Sequence, residues 1–188
     1  MKRPILAAAA AAAALVGACA STPSGPSADV IAAAAGQAAP DAADFVRMAG
    51  ASDLYEIQSS QILLSGSQDE ALRRFATMMI EHHTRTTATL TAAAQQAGLA
   101  PRPPALDSAK AQMIRDLQTA DGAARDQLYR RQQIMAHREA LTMHSLYAQQ
   151  GDTPQLKRAA ASAVPIVAQH FNTLAAMPGG ESGSHPGH

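Results

Sequence analysis

The chain has one cysteine, no tryptophan and only 3% aromatic residues among its 188. A single thiol excludes an internal disulfide framework. Lysine and arginine together equal aspartate and glutamate, so the formal charge is zero. Without a basic face to neutralise phosphates, and with few rings on which bases could stack, nucleic-acid binding is excluded as a class. No glycine-rich phosphate loop occurs, and no serine sits in the setting of a nucleophile elbow, which removes nucleotide binding and serine hydrolysis. The most apolar run, Ile5 to Ala18, is shorter than the roughly 20 residues that span a bilayer as a helix.

That run has another use. It follows Met1-Lys2-Arg3-Pro4 and ends at Leu15-Val16-Gly17-Ala18, directly before Cys19. A cationic start, an apolar stretch and small residues before a cut point mark an export signal. The cysteine immediately after them is the layout of a bacterial lipoprotein. Residues 1–18 are therefore expected to be removed, leaving Cys19 lipidated and the protein tied to a membrane through its lipid. Lipid on Cys19 leaves no thiol for a thiolate metal site or a nucleophile. Ala20, rather than an aspartate, follows Cys19. By similarity to other Gram-negative lipoproteins this points to the periplasm and the outer membrane.

Residues 19–40 are Ala, Ser, Pro and Gly with almost no large apolar side chain. Such a composition cannot offset the entropy of ordering, and it reads as a flexible tether. From Asp41 the pattern becomes helical. Phe45, Met48, Ala49, Ser52, Glu56, Ser59 and Leu63 recur every three or four residues up to Ser65-Gly66, as on one helix face. Ser67 and Glu70 form a capping-box pattern before a second stripe of Leu72, Phe75, Ala76, Met79, His83, Leu90 and Ala94, stopped at Gly98. Pro101, Pro103 and Pro104 forbid helix continuation, and a crossover with a short helix near Asp107 to Ala120 is expected. A third long helix from Ala123 to Gln150 carries Gln133, Ile134, His137, Ala140, Leu141, His144 and Ala148. A fourth opens at Thr153-Pro154, follows Leu156, Ala160, Ala163, Val167, His170 and Leu174, and is expected to kink at Pro165. The fold class is all-α: an antiparallel four-helix bundle over residues 41–177, with a frayed tail at 178–188.

Each long helix then presents one ligating side chain inward: Glu56, His83, His137 and His170. Desolvated ionisable groups need partners, so four in one core should meet. Imidazoles and a carboxylate suit zinc, copper or iron. A metal-free hydrogen-bond network that fixes helix register explains the same residues. By position along the helices, Glu56, His83 and His137 can share a layer, with His170 expected a turn or two away. His82 is rotated about 100° off the stripe and belongs at the surface. His144 lies about 10 Å along the axis from His137, too far to share an ion directly. His185 and His188 in the tail offer a weaker metal site. Met78, Met79, Met135, Met143 and Met177 are soft sulfur donors, although core filling accounts for most of them. Tyr55, Tyr129 and Tyr147 carry hydroxyls toward the polar layer.

The stretches Phe75-Ala76-Thr77-Met78-Met79-Ile80-Glu81-His82-His83, Tyr129 through Gln133 to His137 with Ala140-Leu141, and Val164-Pro165 before His170 resemble an exported bacterial family known as a domain of unknown function, DUF4142-like, with a ferritin-like bundle. The resemblance spans about residues 44–177 and marks Glu56, His83, His137 and His170, with His82 where the family pattern has an acid. Di-iron ferritin-like enzymes place a glutamate three residues before a histidine on two helices. Here Ile80 and Val167 hold those places, so the carboxylates that bridge two irons are missing and ferroxidase chemistry is disfavoured.

Three functions fit these residues. The first is a lipid-anchored binding or envelope-stress protein holding one transition-metal ion, with no enzymatic activity required. The second is a metal-dependent redox enzyme. The third is a structural or partner-binding envelope protein with a metal-free polar core. If lipidation governs processing, a Cys19→Ala variant retains the precursor mass in mass spectrometry of cell extracts; normal cleavage at the same place would remove the lipoprotein reading.

Overall fold

The computed structural model describes residues 37–177, and these form five α-helices with no strand among them. They are α1 (Ala42–Leu64), α2 (Glu70–Gln96), α3 (Ser108–Thr119), α4 (Gly122–Gln150) and α5 (Pro154–Ala176). The leader, Cys19, residues 19–36 and the tail with His185 and His188 lie outside the described residues.

Aspartates start the first three helices. The Oδ1 atoms of Asp41, Asp69 and Asp107 accept from backbone N–H groups of the first turns of α1, α2 and α3 at 2.8 to 3.0 Å, which satisfies donors that have no partner inside the helix. The cap of α2 is therefore Asp69 rather than Ser67. Ser67 Oγ accepts from the Asp69 N–H at 3.1 Å and braces the cap from outside. At the far end of α2, Gly98 adopts φ +77° and the Leu99 N–H reaches back to the Ala94 carbonyl. That left-handed position favours glycine. α5 continues through Pro165, which sits on its exposed face.

The four long helices form a ring. α1 pairs with α2 and α4 with α5 across short connections, and the ring closes through α1 against α4 and α2 against α5. Tyr55 bonds Gln132, Ser60 bonds Tyr129, and Phe45 stacks on Tyr147. Rising numbers in α1 thus meet falling numbers in α4, so these two helices run antiparallel. Leu72 packs with Leu174 and Leu90 with Leu156, which gives the same sense to α2 and α5. α2 and α4 consequently run parallel, and the chain must cross the length of the bundle between them. The segment 97–121, with α3 packed on α1 and α4, makes that crossing. One long crossover is the ferritin-like connection.

Two apolar clusters fill opposite ends of the bundle. One contains Phe45, Leu90, Ala94, Tyr147, Leu156 and Ala160, and the other Leu63, Leu72, Phe75, Met79, Tyr129 and Leu174. Between them lies a buried polar waist. Of the expected core stripes, Met48 departs, being 39% exposed. Phe45 is fully buried, stacks on Tyr147 with centroids 3.8 Å apart, and meets His144 edge-on. Truncating such a ring leaves a cavity that the surrounding helices fill only in part. Phe45→Ala is expected to cost about 3–5 kcal/mol in urea unfolding; a loss under about 1 kcal/mol would contradict this packing.

Candidate metal centre

The waist is assembled from the midsections of α1, α2 and α4 and the latter part of α5. His83 of α2, His137 of α4 and His170 of α5 each offer a ring nitrogen, and these atoms all lie within 4.8 Å of one another. All three residues are buried, at 4%, 1% and 0% exposure. His170 therefore joins the central layer instead of lying a turn or two away. The reason is the hairpin. His137 is 13 residues before the end of α4 and His170 is 16 residues after the start of α5, an offset of only about 4.5 Å along antiparallel axes. Distance from the connecting turn, not from each helix centre, sets the height.

Each ring is oriented by what its other nitrogen meets. His83 Nδ1 lies 2.8 Å from Asp53 Oδ1, an acceptor, and so donates to it. His137 Nδ1 likewise donates to the Gln133 carbonyl at 2.8 Å. Both residues are thereby left with Nε2 as the atom free to face the centre. His83 Nε2 is buried without a hydrogen-bond partner. His137 Nε2 lies 3.3 Å from His170 Nδ1, and the other nitrogen of His170, Nε2, lies 2.7 Å from His82 Nδ1. Neutral imidazoles joined in this way must all donate in one direction: His82 to His170, His170 to His137, His137 to the Gln133 carbonyl. A cation at the centre would reverse the His82–His170 bond, since His170 Nδ1 would then need its lone pair.

The electrostatics keep most of these rings neutral. Burial lowers His137 to about 3, assisted by the charge of His83. Burial, with the charges of His137, His83 and His82, lowers His170 as well. His83 moves the other way. Burial pulls it down, but the hydrogen bond and charge of Asp53, with the charge of Glu56, outweigh that and raise it. A proton on its unpartnered Nε2 is the group that a metal ion would replace. Burial raises Glu56 to about 7, against the lowering effects of His83 and Gln133.

Of the four residues expected to meet, the structure brings the three histidines together and leaves Glu56 at the edge. Its Oε1 lies 3.8 Å from His137 Nδ1, the nitrogen already given to Gln133, and its Oε2 has no partner. His82 is not a solvated surface histidine. It is half-buried, bonded to His170 and stacked on it at 5.0 Å. His144 is buried in the same core but outside the trio, beside Phe45. Asp53 was missed by sequence reasoning. It is 5% exposed and accepts from His83, Thr86 and Thr87. Its spacing of three residues from Glu56, on one side of α1, was the available signal. Tyr55 and Tyr129 donate to or share hydrogens with Gln132 and Ser60, whereas Tyr147 bonds Asp152 at the bundle end. Met79 is core, and Met135 is 47% exposed.

Three convergent imidazole nitrogens, with the opposite nitrogens of His83 and His137 fixed by oxygen acceptors and that of His170 by His82, match the donor chemistry of a transition-metal site. Metal–nitrogen bonds of about 2.0–2.1 Å in a tetrahedron imply nitrogen separations of roughly 3.3 Å. The His137–His170 separation of 3.3 Å already has that value. An ion held by three histidines would keep a further position open for water or another ligand.

Residues 28–177 match the family model DUF4142, described as a domain of unknown function, and the chain belongs to that family. Two solved structures share the fold. A DUF305 fragment from Deinococcus radiodurans is 18% identical, with TM-score 0.62, over 73% of this chain and 94% of that one. A DUF305 protein from Streptomyces coelicolor, whose description calls it secreted, is 19% identical, with TM-score 0.59, over 71% of this chain and 88% of that one. No protein of curated function matches the sequence.

Because the folded value of Glu56, about 7, lies above its ordinary 4.5, the fold favours its protonated form. That contribution to stability is complete below about pH 4.5 and is lost as the pH rises through 7. In chelator-treated protein, Glu56→Gln is therefore expected to gain on the unsubstituted chain by about 1–3 kcal/mol between pH 5 and pH 8. Urea unfolding at the two values reads the difference; a gap that does not change with pH would contradict the assignment.

Proposed function

We propose that this DUF4142 protein is an exported, lipid-anchored bundle that holds one transition-metal ion on His83, His137 and His170. The observation that carries the reading is the committed Nδ1 of His83 and of His137, bound to Asp53 and to the Gln133 carbonyl. Those bonds leave two Nε2 atoms facing inward, and the orphaned His83 Nε2 gains a partner only if something occupies the centre. Burying a polar atom without a partner costs about 1–3 kcal/mol, which a bound ion relieves. Zinc, copper and iron all accept imidazole nitrogen. Glu56, beside the trio and unpartnered at Oε2, supplies a carboxyl that can accept from a water on the ion.

Holding an ion fits the site better than turnover. The three histidines and Glu56 are at most 4% exposed, which leaves little room for a substrate at the ion. A metal-dependent redox enzyme is therefore the weaker alternative. The metal-free structural reading has its own support in the bonds Tyr55–Gln132, Ser59–Gln133 and Ser60–Tyr129, which tie α1 to α4 without any ion. The membrane assignment rests on the Met1 to Cys19 sequence, and the lipid would place the bundle in the periplasm at the outer membrane.

Elemental analysis of the full-length protein, purified without a histidine tag, should find about one ion per chain. The ion should be absent from His83→Ala and His137→Ala variants that keep their helical circular dichroism. No metal after incubation with zinc, copper and iron salts, together with melting unchanged by chelators, would leave the waist structural.

A further inference from the structure

A centre this buried needs a way in. Between α1, α2, α4 and α5 lies a cavity of about 330 Å³ that reaches the waist beside the trio. Two of its wall residues are bonded directly to members of the trio: Asp53 to His83 and His82 to His170. A third, His144, is 8% exposed and its Nδ1 has no hydrogen-bond partner. The mouth is formed by exposed residues, Arg85, Thr89 and Ser162, while Asp53 and His144 lie buried within.

Resting on the metal reading above, we propose that this cavity is the route by which a hydrated divalent transition-metal ion reaches the three-histidine centre. His144 is a transit ligand on that route, and His82 is the gate between cavity and centre.

The lining chemistry favours a cation. Thr86, Thr89 and Ser162 donate their hydroxyl hydrogens to Asp53 or to carbonyls of their own helices, so what these hydroxyls have left to offer an ion is acceptor lone pairs. Burial lowers His144 to about 4, so its ring is neutral and can offer a lone pair to an arriving ion. Arg85 at the mouth opposes cations, but Glu81 pairs with it at 2.8 Å and offsets its charge. The volume suits a hydrated ion: at about 30 Å³ per water, the cavity takes roughly ten waters, more than a first hydration shell. Ala160 and Ala163 also line the cavity, and their methyl groups do not compete for the ion.

His82 separates the two compartments. Its ring stacks on His170 at 5.0 Å with an interplanar angle of 21°, and its Nδ1 holds His170 Nε2. The same residue lines the cavity. A rotation of the half-buried His82 ring breaks one hydrogen bond and opens the side of His170. Restoring that bond behind the ion, with His170 Nε2 now the donor, fixes His170 in the form that gives Nδ1 to the metal.

The test uses full-length protein stripped with a chelator and mixed rapidly with Co²⁺, whose visible bands report nitrogen ligation. Ala159→Trp and Ile166→Trp fill the mouth from partly exposed wall positions, away from the trio and its partners. Both should reach the same final absorbance as the unsubstituted chain, about tenfold more slowly. His144→Ala should slow uptake severalfold, and it keeps the test decisive if a tryptophan variant misfolds. Uptake as fast as the unsubstituted chain in all folded variants would overturn the route while leaving the centre standing. No Co²⁺ bands in the unsubstituted chain would overturn both the centre and the route.

Discussion

Desolvation of the waist is the constraint on which the rest of this structure depends. Asp53, Glu56, His83, His137 and His170 are all buried between two apolar clusters. Removing such groups from water costs several kcal/mol for each charge left uncompensated, so the fold tolerates them only where they answer one another. Asp53 illustrates the solution. Its two oxygens accept from His83, Thr86 and Thr87, three donors from less than two turns of α2. That cluster locks α1 to α2 at the height of the centre and aims His83.

The same bonds that lower the cost of burial also create chemistry. Asp53 and the Gln133 carbonyl consume one nitrogen each on His83 and His137, and their remaining nitrogens converge with one from His170. A network satisfied entirely within itself would have no orphan. Here His83 Nε2 and Glu56 Oε2 are both buried without partners, on residues that neighbour His137. An apolar core would have been cheaper for stability alone. The arrangement makes sense if an ion completes it, and the cavity against Asp53 and His82 supplies the approach.

Much of this was legible in the sequence, for identifiable reasons. Helical periodicity placed Leu156, Ala160, Ala163, Val167, His170 and Leu174 on one stripe, and these are the buried residues of α5. It worked because α5 meets the core along a single face. Met48 broke its stripe because α1 is flanked by neighbours on a wider arc, so the buried positions shift toward Asp53 and Ser60. That wide arc also hid Asp53, which a narrow stripe assigns to the boundary. Position relative to the helix centres puts His170 away from the central layer, whereas the three-residue turn between α4 and α5 fixes the register and brings it in. Rotation about the helix axis alone points His82 to solvent. Its bond to His170 depends on the closeness of α2 and α5 and has no signature within α2 itself. Family membership, carried by residues 28–177, agrees with the bundle and adds no chemistry of its own.

The central claim is that three particular nitrogens bind one ion. The most direct measurement is ¹⁵N NMR of the histidine side chains during titration with Zn²⁺. The account predicts saturation at one equivalent, with the large shifts at Nε2 of His83, Nε2 of His137 and Nδ1 of His170, while Nδ1 of His83 and His137 stays protonated. Shifts confined to His185 and His188, or no saturable change at the three core rings, would contradict it.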